Sequence, residues 1–143
     1  MIDYLKPHYD ELSEDSKERL EKNPLRVLDS KDERDQQFVE NAPSILDYLT
    51  PAAAKGFDRV KAMFDGVGSD YVVDATMVRG LDYYNHTIFE VMVKAESLGH
   101  GYTTICGGGR YSGLVEELGG PDEPGVGFGI GLERLILLLG DEG

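Results

Sequence analysis

Two stretches of the sequence hold residue types that could do chemistry. The first is Arg79-Gly80-Leu81-Asp82-Tyr83-Tyr84, where an arginine, an acid and two tyrosines crowd one loop between strand-like runs. A guanidinium can neutralise an anion that develops in a transition state. Tyrosine hydroxyls can read the nitrogens of a polar substrate, and loops held on a sheet are where such groups gather. The second is Gly125-Val126-Gly127-Phe128-Gly129-Ile130-Gly131-Leu132-Glu133-Arg134. Glycine at every second strand position costs stability, and close approach of a flat ligand or another backbone is a reason to keep it. Arg134 can stack on an aromatic ring or fork onto a phosphate. Each stretch also has an ordinary reading, a surface loop and an arginine snorkelling off a core helix, so neither decides alone.

Other chemistries are excluded by spacing. A dinucleotide fingerprint would need glycine at 130 or 132, which are Ile and Leu. Gly108 to Gly113 is no phosphate loop, because Leu114 stands where lysine is required. His8, His86 and His100 make no ligand spacing with one another or with Cys106, so they read as structural and no metal site is expected. The single cysteine also excludes an internal disulfide.

The elements that must position these residues fall into two parts. Of 18 glycines, residues 1–71 hold three and residues 72–143 the rest. The first part is charge-dense and helical in pattern. Ser13 can cap a helix that runs to Lys22 and stops at Asn23-Pro24. Ser30-Lys31-Asp32-Glu33 reads as a capping box opening a helix to about Glu40. Thr50-Pro51 reads as a further helix start, followed by one apolar face of Ala53, Phe57, Val60, Phe64 and Val67, with Gly66 or Gly68 as the stop. In the second part Tyr71 to Thr76 reads as a strand. His86 to Ala95 alternates as a strand that returns through Tyr102 to Cys106 in an antiparallel hairpin. Gly107-Gly108-Gly109 breaks the return strand, Tyr111 to Leu118 forms a short helix, Val126 to Gly129 a strand and Ile130 to Leu139 a helix. The expected fold class is α+β, with a helical domain over residues 1–70 and an antiparallel-sheet piece over residues 71–143.

The composition agrees with a folded domain: 143 residues, 41% apolar, 29% charged. The net charge of −13 repels phosphate backbones and argues against a stand-alone, non-specific nucleic-acid binder. No apolar run approaches the roughly 20 residues that span a bilayer, and no signal peptide is visible, so a cytoplasmic protein without a membrane partner is expected.

Three segments together carry a family resemblance. Val78-Arg79-Gly80-Leu81-Asp82-Tyr83-Tyr84-Asn85-His86-Thr87-Ile88-Phe89-Glu90 resembles the first histidine-specific signature of the histidyl-tRNA synthetases. Cys106-Gly107-Gly108-Gly109-Arg110-Tyr111-Ser112-Gly113-Leu114-Val115 resembles the second, and Gly125 to Leu139 resembles motif 3 of class II synthetases. Residues from about Leu5 to Gly68, Asn23 to Ser30 among them, resemble the helical insertion domain of the bacterial type. Ser112 stands where that family usually has Asp, and His86 where it often has Arg. Motif 1, motif 2 and the anticodon-binding domain have no counterpart, so the chain looks like an internal segment of a synthetase.

The resemblance implies part of a class II antiparallel-sheet catalytic core with a helical insertion domain. It implies ATP-dependent activation of L-histidine to histidyl-adenylate and transfer to tRNA(His), by an enzyme that is a homodimer when intact. Magnesium comes with ATP as its substrate complex, with no tightly bound cofactor, and the segment alone is expected to be inactive. Arg79 would be the catalytic arginine and would also touch histidine. Tyr83, Tyr84 and Tyr111 would line the histidine pocket, with Gly107, Gly108 and Gly109 letting backbone approach the ligand. Arg134 would stack on adenine, with Gly129 and Gly131 beside ATP. Asp82 would orient its neighbours. The other reading is a catalytically inactive relative, such as the regulatory subunit of ATP phosphoribosyltransferase or a histidine-sensing module. The co-occurrence of Arg79, Tyr83, Tyr84, Gly109, Tyr111 and Arg134 favours the enzyme.

Overall fold

The computed structural model describes residues 1–81 and 83–140. Asp82 lies outside the described residues. The chain divides into two compact units, Met1–Gly80 and the residues from Leu81 onward.

The first unit is built of short helices: α1 (Ile2–Leu5), α2 (Glu14–Lys22), α3 (Glu33–Glu40) and α4 (Pro51–Gly66), with tight 3-10 turns at Lys6–Glu11, Pro24–Asp29 and Ile45–Tyr48. Its core is Leu5, Leu12, Leu20, Val27 and Phe38. Ser13 caps α2 by accepting from the Ser16 amide at 3.1 Å, and the chain leaves the helix at Asn23, as the sequence implies. The Tyr4 hydroxyl donates to the Phe38 carbonyl at 3.1 Å and ties the chain's start to α3.

A buried carboxylate organises these helices. Asp35 is 0% exposed. Its Oδ1 accepts from the Ser13 amide at 2.9 Å, and its Oδ2 accepts from the hydroxyls of Ser13, Ser16 and Ser30 at 2.7, 2.6 and 2.5 Å. Here the expected capping box is corrected. Ser30 does not cap α3: its hydroxyl donates to Asp35, and its oxygen accepts from the Asp32 amide at 3.3 Å, one residue short of the helix. The cap is Asp32, whose Oδ1 accepts from the Arg34 amide at 3.0 Å, so the helix begins at Glu33. Burial alone would raise the Asp35 pKa, but the donors from Ser13, Ser16 and Ser30 outweigh it and hold the carboxyl below its ordinary value.

Helix α4 starts as expected, with Thr50 Oγ1 accepting from the Ala53 amide at 3.2 Å and Pro51 at the first helical position. Gly68, at φ +66°, closes its end. Its apolar face is not sunk in the core: Ala53, Phe57 and Val60 are half-buried, while Phe64 and Val67 are exposed. The strand expected over Tyr71 to Thr76 is absent. Nothing pairs with it among the described residues, Val72 is 90% exposed, and Asp74 Oδ1 bends the chain by accepting from the Thr76 amide and hydroxyl at 2.8 and 2.7 Å. Local β propensity cannot form a strand without a neighbour.

The second unit holds an antiparallel sheet in the order β1 (Ile88–Val93), β2 (Thr103–Tyr111), β3 (Gly125–Ile130), followed by α6 (Leu132–Gly140), with a one-turn α5 (Leu114–Glu117) between the last two strands. The hairpin forms as expected, turning through Glu96–Leu98 with Gly99 and Gly101 at φ +98° and +103°. Contrary to expectation, Gly107-Gly108-Gly109 does not break β2. The run is buried within the strand, which continues to Tyr111, so Tyr111 is a strand residue and the helix after it shrinks. Ile130 likewise belongs to β3, paired with Cys106, which delays α6 to Leu132.

Asp35→Asn leaves the serine hydroxyls facing a weaker acceptor and is expected to cost about 3 kcal/mol in urea unfolding followed by helical circular dichroism. Because Asp35 has a lowered pKa when folded, its contribution is present above the ordinary carboxylate value and is lost as pH falls. The difference between wild type and variant, in which Glu14, Glu18, Asp32 and Asp74 cancel, should therefore shrink below about pH 4. A difference that stays constant into acid would contradict the assignment.

Candidate functional site

The register of the sheet creates a feature that neither glycine run has alone. Gly107 pairs with Gly129, Gly109 with Gly127 and Tyr111 with Gly125. Residues opposed across antiparallel strands point to the same face. One face therefore carries a strip of bare backbone with Tyr111 at its end, while Glu90 and Ile88 flank it from β1, opposite Gly107 and Gly109.

Two of these glycines are required by close packing. A Cβ on Gly109 would lie 2.8 Å from Tyr84 Cδ1 and 2.9 Å from Ile88 Cγ2. A Cβ on Gly125 would lie 2.6 and 2.7 Å from the Tyr111 Cζ and hydroxyl. Both tyrosines thus rest on the strip because it has no side chains. On the other face, a Cβ on Gly108 would run into the Gly127 carbonyl and lie 2.6 Å from Phe128 Cβ. The space over Gly129 is open to 4 Å, and a Cβ on Gly131 would press on Arg134 Cδ at 3.3 Å.

The tyrosines form a cluster. Tyr83 and Tyr84 have ring centroids 4.6 Å apart, Tyr83 meets Tyr111 edge-on at 5.4 Å, and Tyr84 lies 6.3 Å from Tyr111. Such tilted pairs match the ring quadrupoles and hold the three half-buried rings together.

Arg134 is seated by an irregularity in β2. The β1–β2 register shifts between Val91 and Met92, leaving Ile105 as an extra residue. The Ile105 carbonyl accepts from the Gly131 amide at 2.9 Å, and the Thr104 carbonyl accepts from Arg134 Nη1. The Thr104 hydroxyl in turn donates to Glu90 Oε2 at 2.8 Å. Arg134 itself is exposed, one turn into α6.

Of the residues singled out from sequence, Tyr83, Tyr84, Tyr111, Gly107, Gly109 and Gly129 therefore meet on or beside one strip. Gly108 faces away in the same strand, and Gly131 and Arg134 adjoin the strip through the β2 bulge. Arg79 belongs to the first unit, half-buried in the irregular stretch before Gly80. Sequence reasoning missed that the two glycine runs are cross-strand neighbours. The available signal was glycine at 107 and 109 matching glycine at 125, 127 and 129 in period two.

The model of the family described as "Histidyl-tRNA synthetase" matches residues 9–135. The chain belongs to the histidyl-tRNA synthetase family. It is 93% identical to the histidine–tRNA ligase of Limosilactobacillus fermentum over all 143 residues, which cover 33% of that protein. It is 71% identical to the histidine–tRNA ligase of Levilactobacillus brevis over 139 residues, 97% of this chain and 32% of that one. The crystal structure of apo S. aureus histidyl-tRNA synthetase is similar with a TM-score of 0.73 and 39% identity, covering 99% of this chain and 33% of that one. The chain thus spans about a third of the length of the curated synthetases it matches. Among the described residues no helix is long and apolar enough to cross a membrane.

In this synthetase segment, Gly109→Ala should destabilise the sheet by roughly 1–3 kcal/mol, because Tyr84 and Ile88 must move. Gly129→Ala, with open space around it, should stay within about 0.5 kcal/mol of wild type. Urea unfolding of the two variants checks this, and equal losses would contradict the packing account.

Proposed function

We propose that the chain supplies part of the active site of a histidine–tRNA ligase, which activates L-histidine with ATP and transfers it to tRNA(His). The observation that carries the reading is the tyrosine cluster beside the glycine strip: polar-tipped aromatic rings next to bare backbone suit a small flat substrate such as an imidazole. Tyr83, Tyr84 and Tyr111 bind histidine there, with Gly107, Gly108 and Gly109 as the backbone beneath. The proposed organisation is a helical insertion domain over residues 1–70 and the C-terminal part of the catalytic domain over residues 71–143.

In the activation step a carboxylate oxygen of histidine attacks the α-phosphorus of ATP. A new oxygen–phosphorus bond forms, the bond to the β-phosphate bridge breaks, and pyrophosphate leaves. Arg79 offsets the charge that builds on the equatorial oxygens. Arg134 stacks on adenine, its side chain held by the Thr104 carbonyl, and Gly129 and Gly131 keep the approach to ATP clear. Magnesium enters with ATP as its substrate complex. The product is attacked by the terminal ribose of tRNA(His), which releases AMP. The working enzyme is a homodimer of the cytoplasm. The ligase names of the matched relatives disfavour the reading as an inactive regulatory or sensing module.

The test uses the Limosilactobacillus fermentum ligase with residues 1–143 of this chain in place of its matching stretch. Histidine-dependent pyrophosphate exchange should proceed near the rate of the parent enzyme. Arg79→Ala should slow it by roughly 100- to 1000-fold, with histidine affinity much less affected. Unchanged exchange in the variant would remove Arg79 from the mechanism, and a chimera without exchange would remove the functional reading. The 143-residue chain alone is expected to show no exchange, since positioning of the reactants by itself contributes about 7–11 kcal/mol to such reactions.

A further inference from the structure

We propose that Asn85 is a positioning residue for the histidine pocket, its side-chain amide serving as an extra rung that locks the tyrosine loop to the end of β2. The inference rests on the reading of the tyrosine cluster as that pocket. Among the described residues, the last backbone bond that joins the start of β1 to β2 runs from the Arg110 amide to the Thr87 carbonyl, at 2.9 Å. Beyond it the link between the two chains is carried by the Asn85 side chain. Asn85 Nδ2 donates to the Ser112 carbonyl at 2.6 Å, and the Ser112 amide donates to Asn85 Oδ1 at 2.9 Å. A primary amide can turn one N–H and its carbonyl to the same side, which a trans peptide group cannot, and so it pairs with both the carbonyl and the amide of a single residue. The two-bond ring it closes resembles the one that opposed residues of antiparallel strands close.

The rung sits where it fixes the aromatic cluster. Tyr84 immediately precedes Asn85, and Tyr111 immediately precedes Ser112. Ring contacts at 4.6 to 6.3 Å hold the three tyrosines together but do not set the separation of their backbones. The two amide bonds do. His86 adds a further link, its Nε2 and Ser112 Oγ lying 2.9 Å apart in a hydrogen bond whose direction follows the imidazole tautomer. The two shorter Asn85 bonds go to the Ser112 backbone and depend on the identity of residue 85 alone; a longer one, from the Ser112 hydroxyl to Asn85 Oδ1 at 3.4 Å, and the His86 link use the Ser112 side chain. Asn85 is exposed, and its bonds replace bonds to water, so its effect is on geometry more than on stability.

The experiment uses the same chimeric ligase and its Asn85→Ala and Asn85→Asp variants. Aspartate keeps the size of the side chain and the acceptor for the Ser112 amide, but it turns an oxygen on the Ser112 carbonyl. In pyrophosphate exchange, kcat/KM for histidine should fall by about 10-fold or more in both variants, with KM for ATP within about twofold of wild type. A merely space-filling role would leave Asn85→Asp near wild type, and a merely structural one would raise both KM values with the loss of melting temperature. Either result overturns the proposal. Amide hydrogen exchange on the same proteins gives an arm that does not depend on catalysis. In Asn85→Ala the Ser112 amide should exchange at least about 10-fold faster while the Gly108 and Gly109 amides keep their protection. Unchanged exchange at Ser112 would refute the rung even in an inactive chimera, whereas an inactive chimera with the expected exchange pattern would refute only the histidine reading.

Discussion

The site unit depends on one constraint: β2 must lie nearer to its surroundings than a Cβ permits. Gly109 admits the Tyr84 ring and Ile88, Gly108 admits the Gly127 carbonyl and Phe128, and across the register Gly125 admits the ring of Tyr111. Ordinary side chains at these points would lift the tyrosines off the sheet and spread the strands. Glycine is a poor strand residue, with no side chain to pack and more backbone entropy to lose. The sheet tolerates it because the rings of Tyr84, ahead of β1, and Tyr111, at the end of β2, fill the space over Gly109 and Gly125 that side chains there would take. The rings that hold the strip in place are also the polar-tipped groups that it presents.

The helical unit solves a different problem. Its apolar core is small, five side chains from the first 38 residues, and a polar centre supplements it. Asp35 gathers donors from Ser13, Ser16 and Ser30, which come from the start of α2 and the approach to α3. A buried carboxylate is costly unless its oxygens are satisfied. Four donors from separate segments satisfy it only when those segments are correctly placed. Asp35 therefore specifies one arrangement of the short helices, which greasy contacts alone would leave loosely defined.

Much of this was legible in the sequence. Caps at Ser13 and Thr50, the stop at Asn23-Pro24 and the hairpin around Gly99 and Gly101 follow from local chemistry, and the structure has them. What local chemistry could not give was set by partners distant in sequence. Tyr71 to Thr76 has strand composition but, among the described residues, no strand to join. Gly107 to Gly109 has the composition of a break, yet stays in the sheet because β1 and β3 pair with it on both sides. Ser30 looks like a cap, but its hydroxyl is oriented onto Asp35 and the helix starts later, capped by Asp32. The candidate site shows the same division. Tyr83, Tyr84, Gly107 to Gly109, Tyr111 and Arg134 stand out by type and spacing. The bulge that seats Arg134 and the rung made by Asn85 exist only in the folded register.

The central claim is that the tyrosine cluster and the glycine strip beneath it form the seat of the substrate imidazole. The most direct measurement is a crystal structure of the ligase chimera with L-histidine bound. The account predicts the imidazole against the Gly107–Gly109 backbone, with a nitrogen within hydrogen-bond reach, about 2.6–3.2 Å, of a hydroxyl of Tyr83, Tyr84 or Tyr111. An imidazole bound away from the strip, out of hydrogen-bond reach of all three hydroxyls, would contradict it.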